Sequence, residues 1–395
     1  MKEIFNIANL YTFLWLLLLV MPSSRLTALL LASLLLVSMY YWVLANTRYE
    51  MPSMLKALNV FIVMIIIYGI IMLLGGEVYY IREGGRVANN IEYIQKPLQS
   101  LLPIYAFYVF TRKGLIKEIS IRWWTIAFLL VGIYCFYNAI QQYEMIRTLS
   151  MSDEFTNNTS YLMLALFPCA LFFYKKPLYQ YIILGICIFF IISGFKRGAS
   201  LIGALCLILI IWDNIHSPQR GTKNKSNSMR WILTVAISIT IIYFTWYIID
   251  YYSQTSDYFQ YRIEQTVSGE GGARNTIYNQ LIKHYFKETN LAEFLFGMGA
   301  NGTLKVTVNF AHNDWLEIAT DNGLLGLVIY VVFLYRFYIR SKKYRYPNLR
   351  LAFRICFIIY TVKTFFSMSY ADVPIFMSCA IGVCLGFDSM AQKET

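Results

Sequence analysis

Long apolar runs alternate with short polar connectors along most of the chain. A hydrocarbon core about 30 Å thick needs about 20 helical residues to cross it, so runs of roughly 15 to 22 apolar residues are interpreted as membrane spans. The runs lie at 4–21, 25–45, 57–74, 98–110, 122–140, 160–174, 178–193, 198–212, 231–250, 323–340, 351–368 and 373–387. This pattern predicts an all-α polytopic membrane protein with about twelve transmembrane helices. The expected organisation is a single integral membrane domain over residues 1–395.

Composition agrees with this interpretation. Hydrophobic residues make up 58% of the chain and charged residues only 14%, a balance that excludes an ordinary soluble enzyme. Lys and Arg concentrate in alternate connectors, among them "TRYEMPSMLK", "TRKGLIKEISIR" and "RSKKYRYPNLR". Because short cytoplasmic connectors carry such excess positive charge, both termini are expected in the cytoplasm and 251–322 is expected to be one large external loop between helices nine and ten. The net charge of +12 follows from this topology, and no nucleic-acid motif accompanies it.

The external loop has internal order. The segment "ARNTIYNQLIKHYFKE" places four apolar side chains on one helical face, which predicts a helix lying on the outer membrane surface. These side chains are Ile277, Leu281, Ile282 and Tyr285. Downstream, "FGMGANG" matches G-x-G-x-x-G literally, but without a βαβ context it is interpreted as a tight turn that lets two backbones approach.

The most polar stretch near a span is "FAHNDWLEIATDNGLLGLVIY", at 310–330. Asp314 and Glu317 have the spacing of a helix N-terminal capping arrangement, and Gly323 is expected to stop that helix before the next span. Gly323 and Gly326 form a small-x-x-small step that favours close helix packing. His312 precedes the helix start, where the macrodipole disfavours imidazolium, so a neutral imidazole able to accept a proton is expected.

Two cationic positions depart from the charge pattern. Lys196 and Arg197 lie in a turn assigned to the external side, where short connectors normally avoid positive charge. Arg274 follows a glycine-rich break in the external loop. Guanidinium groups suit phosphate because their planar fork binds two oxygens at once. Snorkelling to lipid headgroups is the alternative explanation for each.

These features together resemble the O-antigen ligase and O-antigen polymerase family. The resemblance rests on "HN" at 312–313, then nine residues and "GLLG" at 323–326, on the upstream "GMGANG", on Arg274 and on "KRG" at 196–198. It covers roughly residues 190–335, the expected catalytic region. The family implies a glycosyltransferase in the cytoplasmic (inner) membrane that uses undecaprenyl-diphosphate-linked oligosaccharides at the outer face.

The resemblance also implies residue roles. His312 matches the family's essential histidine, while Arg197 and Arg274 match its conserved arginines. Lys196 stands where the family often has a small residue, so it is either a further diphosphate contact or an interfacial anchor. Donor glycan, glycan acceptor and membrane lipid are the implied partners, together with chain-length regulator and flippase proteins.

The expected chemistry follows from these residue types. A lipid diphosphate leaves as a stable anion, so cations suffice at the leaving group and His312 would act as general base on the acceptor hydroxyl. Around this histidine, further candidates that would hold its position without contacting substrate are Asn313, Asp314 and Glu317. A single base without paired carboxylates predicts one inverting displacement. No metal-ligand spacing is present, and neither metal nor cofactor is expected.

Two choices stay open at this level. A polymerase of O-antigen, capsule or exopolysaccharide is favoured over a ligase that transfers glycan to lipid A-core or protein, because no acceptor-recognition domain is appended. Acceptor choice would involve the external loop and "GEVYYIREGGRVANNIEYIQK", whose sugar-facing candidates also fit an aromatic interface belt; they are Tyr79, Tyr80, Arg82, Arg86 and Tyr93. A flippase or transporter is the alternative from another class, and Lys363 supports it if it lines a cavity rather than snorkels.

Overall fold

The structure is a computed structural model that describes most of the chain. The described residues are 6–75, 79–81, 87–149, 159–194, 196–216, 243, 246–247, 250, 273–307 and 309–392. Most of the ninth predicted span, 231–250, and the start of the external loop, 251–272, lie outside this part.

Helices dominate the described residues. Before the external loop they are α1 (Ile7–Val20), α2 (Arg25–Arg48), α3 (Ser53–Leu74), α4 (Asn90–Arg112), α5 (Glu118–Leu149), α6 (Thr159–Leu164), α7 (Phe167–Ala170), α8 (Pro177–Ser193) and α9 (Arg197–His216). The remaining ones are α10 (Ala273–Lys283), α11 (Leu291–Phe296), α12 (Thr303–Val306), α13 (Asp314–Lys342), α14 (Arg350–Lys363) and α15 (Ile375–Ala391). Short 3-10 turns lie at Leu171–Phe173 and Pro347–Leu349, and a single π-helical turn lies at His284–Glu288.

Four of these helices are long and apolar enough to cross a membrane: Arg25–Arg48, Ser53–Leu74, Glu118–Ala139 and Asp314–Lys342. Shorter apolar helices lie at Ile7–Val20, Thr159–Phe173, Leu178–Ser193 and Ile375–Ala391. The chain is therefore an α-helical membrane protein. The predicted eleventh span, 351–368, extends beyond the observed helix, because α14 ends at Lys363.

A small β-hairpin follows α3, in a segment for which the sequence interpretation gave no strands. Strands β1 (Tyr79–Ile81) and β2 (Val87–Asn89) pair antiparallel, with Tyr79 opposite Asn89 and Ile81 opposite Val87. The aromatic and β-branched residues on both sides of a Gly-Gly pair are typical of such a hairpin. Arg82 and Arg86 lie outside the described residues.

Helix α4 lies at the centre of the core and packs along α15. The Phe128 and Phe376 rings stack beside this contact with centroids 4.3 Å apart. Ser100 of α4 bridges to α15 and its N-terminal connection, because its hydroxyl accepts from the Val373 N–H at 3.0 Å and its carbonyl accepts from the Ser378 hydroxyl at 2.6 Å. The start of α15 is thereby fixed against residues 100–111 of α4, all of which are buried.

The ends of α13 and α15 farthest from residue 314 are also tied together. Asp388 is fully buried, pairs with Arg340 and accepts from the Tyr346 N–H at 3.2 Å. Glu118 nearby accepts from the Tyr346 hydroxyl at 2.7 Å. Both carboxylates thus satisfy the polar groups of the connection between α13 and α14.

Helix α13 is broken at Gly323, as the sequence predicts. Gly323 has φ 65° and ψ −162°, so Asp314–Asn322 forms a short helix and the apolar span begins at Leu324. A Cβ at Gly323 would lie 2.5 Å from the Gly297 backbone nitrogen and 2.6 Å from the Leu295 carbonyl oxygen. Glycine is therefore required by backbone conformation and by close contact with the "FGMGANG" turn.

Gly323→Ala is expected to destabilise the protein by about 2 kcal/mol or more, because backbone strain and overpacking both contribute. Thermal unfolding of the purified protein in detergent measures this as a lower midpoint. Gly185→Ala is the matched control, since nothing lies within 4 Å of its added Cβ. If Gly323→Ala and Gly185→Ala unfold at the same temperature, the turn leaves room for a Cβ at position 323, and the close contact is contradicted.

Candidate functional site

His312 lies in a short segment that leads into α13. Its φ of 52° is in the left-handed region, which is uncommon for a side chain of this size. The next residue, Asn313, caps the helix by accepting from the Trp315 N–H at 2.9 Å and the Leu316 N–H at 3.3 Å. The predicted capping role of Asp314 and Glu317 is therefore wrong, because Asn313 already satisfies these backbone donors.

Asp314 instead joins α13 to the connector between α14 and α15, which we call the 364–374 connector. The carboxylate is fully buried, accepts from the Ser369 N–H at 2.7 Å and accepts from the Tyr330 hydroxyl. The Asp314 N–H donates to the Thr364 carbonyl at 2.9 Å. This last bond helps to explain why α14 ends at Lys363, since the Thr364 carbonyl is committed to another helix.

Glu317 is fully buried one turn further along α13. Its Oε2 accepts from the Thr303 hydroxyl at 2.7 Å, and its Oε1 accepts from the Ala311 N–H at 2.5 Å. The Thr303 N–H also donates to Asp321 Oδ1 at 3.1 Å. Glu317 and Asp321 therefore both hold Thr303 after the glycine-rich turn, and Glu317 also holds the segment before His312.

The glycine-rich turn is a tight turn packed on α13, which confirms the prediction. The Met298 N–H donates to the Thr320 carbonyl at 2.8 Å, and the Gly299 N–H donates to the Asp321 carbonyl at 2.9 Å. Gly297 has φ 76°, and a Cβ there would lie 2.4 Å from the Asp321 carbonyl carbon. No larger residue fits this approach of two backbones.

The loop helix α10 packs against protein rather than presenting its apolar face outward. Ile277 and Leu281 are buried against Ala311, with Leu316 beside them. The prediction that this face lies on the membrane surface is therefore wrong, because the segment next to His312 covers it. Ile282, assigned to the same face, is 45% exposed.

The arginines flank one residue of the 364–374 connector. Arg274, exposed near the start of α10, places Nη1 3.4 Å from the Phe366 carbonyl oxygen. Arg197 is the exposed first residue of α9, and Lys196 before it is half-buried. A Cβ at the next position, Gly198, would lie 2.7 Å from Phe366 Cβ, so the backbone that follows Arg197 touches the same side chain.

Three helix N-termini thus meet at this connector: α9 and α10 at Phe366, and α13 at Thr364. The structure brings Arg197, Arg274 and the His312 segment to one place, although 92 residues separate Arg274 from Phe366. Sequence reasoning missed the connector because "TFFSM" was included in an apolar span. The available signal was the presence of Thr364, two serines and Asp372 in "TFFSMSYAD", which indicates a polar connector rather than the end of a span.

Lys363 is buried immediately below the connector, with 4% exposure. Its ammonium lies over the Tyr161 ring at 5.1 Å, donates to the Asp372 carbonyl and lies 3.4 Å from Asp372 Oδ2. Tyr161 and Ser369 also line the small cavity that Lys363 faces. The buried position excludes snorkelling, and the ion pair with Asp372 compensates the buried charge. Because Lys363 lines a small cavity, the transporter alternative stays a prediction.

Two further sequence interpretations are corrected by packing. A Cβ at Gly326 would lie 2.3 Å from the Asn322 side chain, so this glycine accommodates the kink of its own helix rather than a neighbouring one. Tyr93 is buried, and its hydroxyl accepts from Asn322 Nδ2 at 2.9 Å. It therefore faces neither sugar nor an aromatic belt.

Within the described residues, no three His, Cys, Asp or Glu side chains come close enough to form a metal site. Metal independence stays a prediction.

Asp314→Ala is expected to lower the thermal midpoint clearly, because the Ser369 N–H and the Tyr330 hydroxyl would lose their buried acceptor, at about 1–3 kcal/mol per group. Glu288→Ala is the control and should leave the midpoint nearly unchanged, since its ion pair with Lys283 is exposed. Equal midpoints for both variants would contradict a structural role for Asp314.

Comparison of this chain with protein-family models and with curated proteins found no match to either. The functional conclusion therefore depends on the residues themselves.

Proposed function

We propose that this protein is a membrane glycosyltransferase that acts on lipid-diphosphate-linked oligosaccharides. The proposal rests on one observation: Arg197, Arg274 and the His312 segment all lie at the 364–374 connector. Two exposed arginines and a histidine in the left-handed region, brought to one turn, fit an anionic substrate with a reactive hydroxyl partner.

Electrostatics favour a diphosphate at this place. The N-terminus of a helix carries roughly half a positive charge and presents unpaired N–H groups. Three helix N-termini abut the connector. Asn313 and Thr364 already accept from the first N–H groups of α13, whereas α9 and α10 each carry an arginine in the first turn. Anions bind readily at such helix ends, and arginine adds two-point recognition of phosphate oxygens. Lys196 would add a further positive charge.

The proposed reaction is a single displacement. His312 takes the proton from the acceptor hydroxyl, whose oxygen forms a bond to the anomeric carbon of the donor sugar. The bond from that carbon to the diphosphate oxygen breaks, and the electron pair leaves with the lipid diphosphate. Arg197 and Arg274 offset the charge that develops on the leaving group, at about a few kcal/mol. The configuration of the anomeric centre is inverted.

The proposed topology places this chemistry outside the cytoplasm. About twelve spans, cytoplasmic termini and an inner-membrane location put residues 251–322 on the outer face. Within that frame, Arg197, Arg274, His312 and the 364–374 connector all fall on the same side. This agreement between charge-based topology and the contacts supports the assignment.

The acceptor is proposed to be a second lipid-linked glycan, which makes the protein a polymerase of O-antigen, capsule or exopolysaccharide. A ligase that uses lipid A-core or protein as acceptor requires the same base and the same cations, so the acceptor defines the alternative. Deletion of the gene in its host and gel analysis of the surface glycan separate them. A polymerase mutant loses chain length, whereas a ligase mutant accumulates full-length polymer on lipid diphosphate.

His312→Ala, introduced into the deletion strain, should abolish long-chain product because no base accepts the hydroxyl proton; such groups contribute about 100- to 10,000-fold. Product is measured on the same gel and protein level by immunoblot of membranes. His284→Ala is the matched control, since this histidine pairs with Glu288 at the far end of α10. Normal product from His312→Ala would overturn the general-base assignment.

Arg274→Lys should lose much of the product despite its retained charge, because the planar fork is absent. Arg274→Ala should lose more, because the charge is absent as well. Lys283→Ala controls for charge loss on the same helix, about 14 Å along its axis. The initial rate of chain extension in isolated membranes provides the measurement. Equal rates for the Ala variants at positions 274 and 283 would place the diphosphate elsewhere.

A further inference from the structure

Glu317 connects the two sequence segments that flank the site. Thr303 follows the glycine-rich turn and donates its hydroxyl to Oε2 at 2.7 Å. Ala311 precedes His312 and donates its N–H to Oε1 at 2.5 Å. Thr303, Ala311 and Glu317 are all fully buried. A carboxylate in such a place is stable only where donors replace water, and these two supply that replacement.

Backbone strain is concentrated around the same carboxylate. In the described part of the chain, the non-glycine residues with positive φ are Asn301, at 55°, and His312, at 52°. Asn301 lies two residues before one donor to Glu317, and His312 lies directly after the other. Such conformations cost about 1–3 kcal/mol and persist where surrounding contacts enforce them. Glu317 is the side chain shared by both segments.

His312 is held from both directions along the chain. On its C-terminal side, Asn313 caps α13 and the Asp314 N–H donates to Thr364. On its N-terminal side, the Ala311 N–H donates to Glu317, and the Ala311 side chain packs on Leu281. Removing the Glu317 acceptor would remove the side-chain anchor of the Ala311 N–H, the backbone group directly before His312.

We propose that Glu317, supported by Thr303, is the positioning residue for His312. This role rests on the proposed function only where it concerns catalysis; the positioning itself is a property of the backbone. The carboxylate fixes Ala311 from the rigid first turns of α13, and His312 is thereby held in its left-handed conformation at the connector. The glycine-rich turn serves the site by bringing Thr303 to Glu317.

The substitution of Glu317 by Gln separates positioning from proton transfer. A glutamine carbonyl accepts from the Ala311 N–H, and its amide donates to the Thr303 hydroxyl oxygen, so both contacts survive without a charge. Alanine removes both. At position 303, Ser keeps the hydroxyl and Val removes it. Thr125→Val controls for the loss of a buried hydroxyl elsewhere, because Thr125 is fully buried and donates to its own helix.

The test measures His312 directly, in the full-length protein in detergent and without substrate. Diethylpyrocarbonate modifies neutral imidazoles, and peptide mass spectrometry reports the rates at His312 and at His284, the internal reference. Glu317→Ala should change the His312 rate about fivefold or more, the factor that corresponds to about 1 kcal/mol of lost hydrogen bonding. The His284 rate should stay constant. The His312 rates of Glu317→Gln and Thr303→Ser should equal that of the unmodified protein. The His312 rate of Thr303→Val should lie between those of Glu317→Ala and Glu317→Gln.

An unchanged His312 rate in Glu317→Ala would overturn the positioning role, as would an equal effect of Thr125→Val. Gel analysis of product from the same variants adds the catalytic readout: Glu317→Gln should restore most of the product that Glu317→Ala loses. Loss of product in Glu317→Gln with a normal His312 rate would make Glu317 itself a proton carrier. If His312→Ala retains activity while the modification rates behave as expected, the proposed function fails and the positioning role stands.

Discussion

The rest of the site depends on the hydrogen bonds that two buried carboxylates accept from backbone N–H groups. Asp314 binds the Ser369 N–H and Glu317 binds the Ala311 N–H, so α13 is joined to the 364–374 connector and to the segment before His312. An apolar interior makes an unsatisfied carboxylate or N–H expensive, and this cost enforces the arrangement. The site is therefore specified by polar satisfaction inside an otherwise apolar bundle.

Rigidity and strain are divided accordingly between the two ends of α13. Arg340 and Asp388 pair at the end farthest from His312, while Phe61, Tyr330 and Phe333 pack in the core between. The kink at Gly323 then separates this packed span from the short helix that carries the carboxylates. In the described part of the chain, the non-glycine residues with left-handed backbone, Asn301 and His312, lie on the site side.

The corrections to the sequence interpretation share one physical origin. The capping pattern assigns Asp314 and Glu317 to their own helix, whereas in the folded chain both carboxylates bind other segments. Lys363, for which the sequence leaves a headgroup and a cavity open, is buried, faces a small cavity and pairs with Asp372. A capping motif describes contacts within one helix, so it carries no information about which other segment a buried side chain meets in the fold.

The sequence by itself determined what depends on neighbours along the chain: apolar runs long enough to be helices, the stop at Gly323 and the tight turn at 297–302. Tertiary structure decided what depends on distant partners: that the α10 face covers Ala311 rather than lipid, and that α14 ends at Lys363. It also decided that three helix ends meet at Phe366 and Thr364. Periodicity is encoded locally, whereas the satisfaction of a buried donor depends on which residue the fold brings to it.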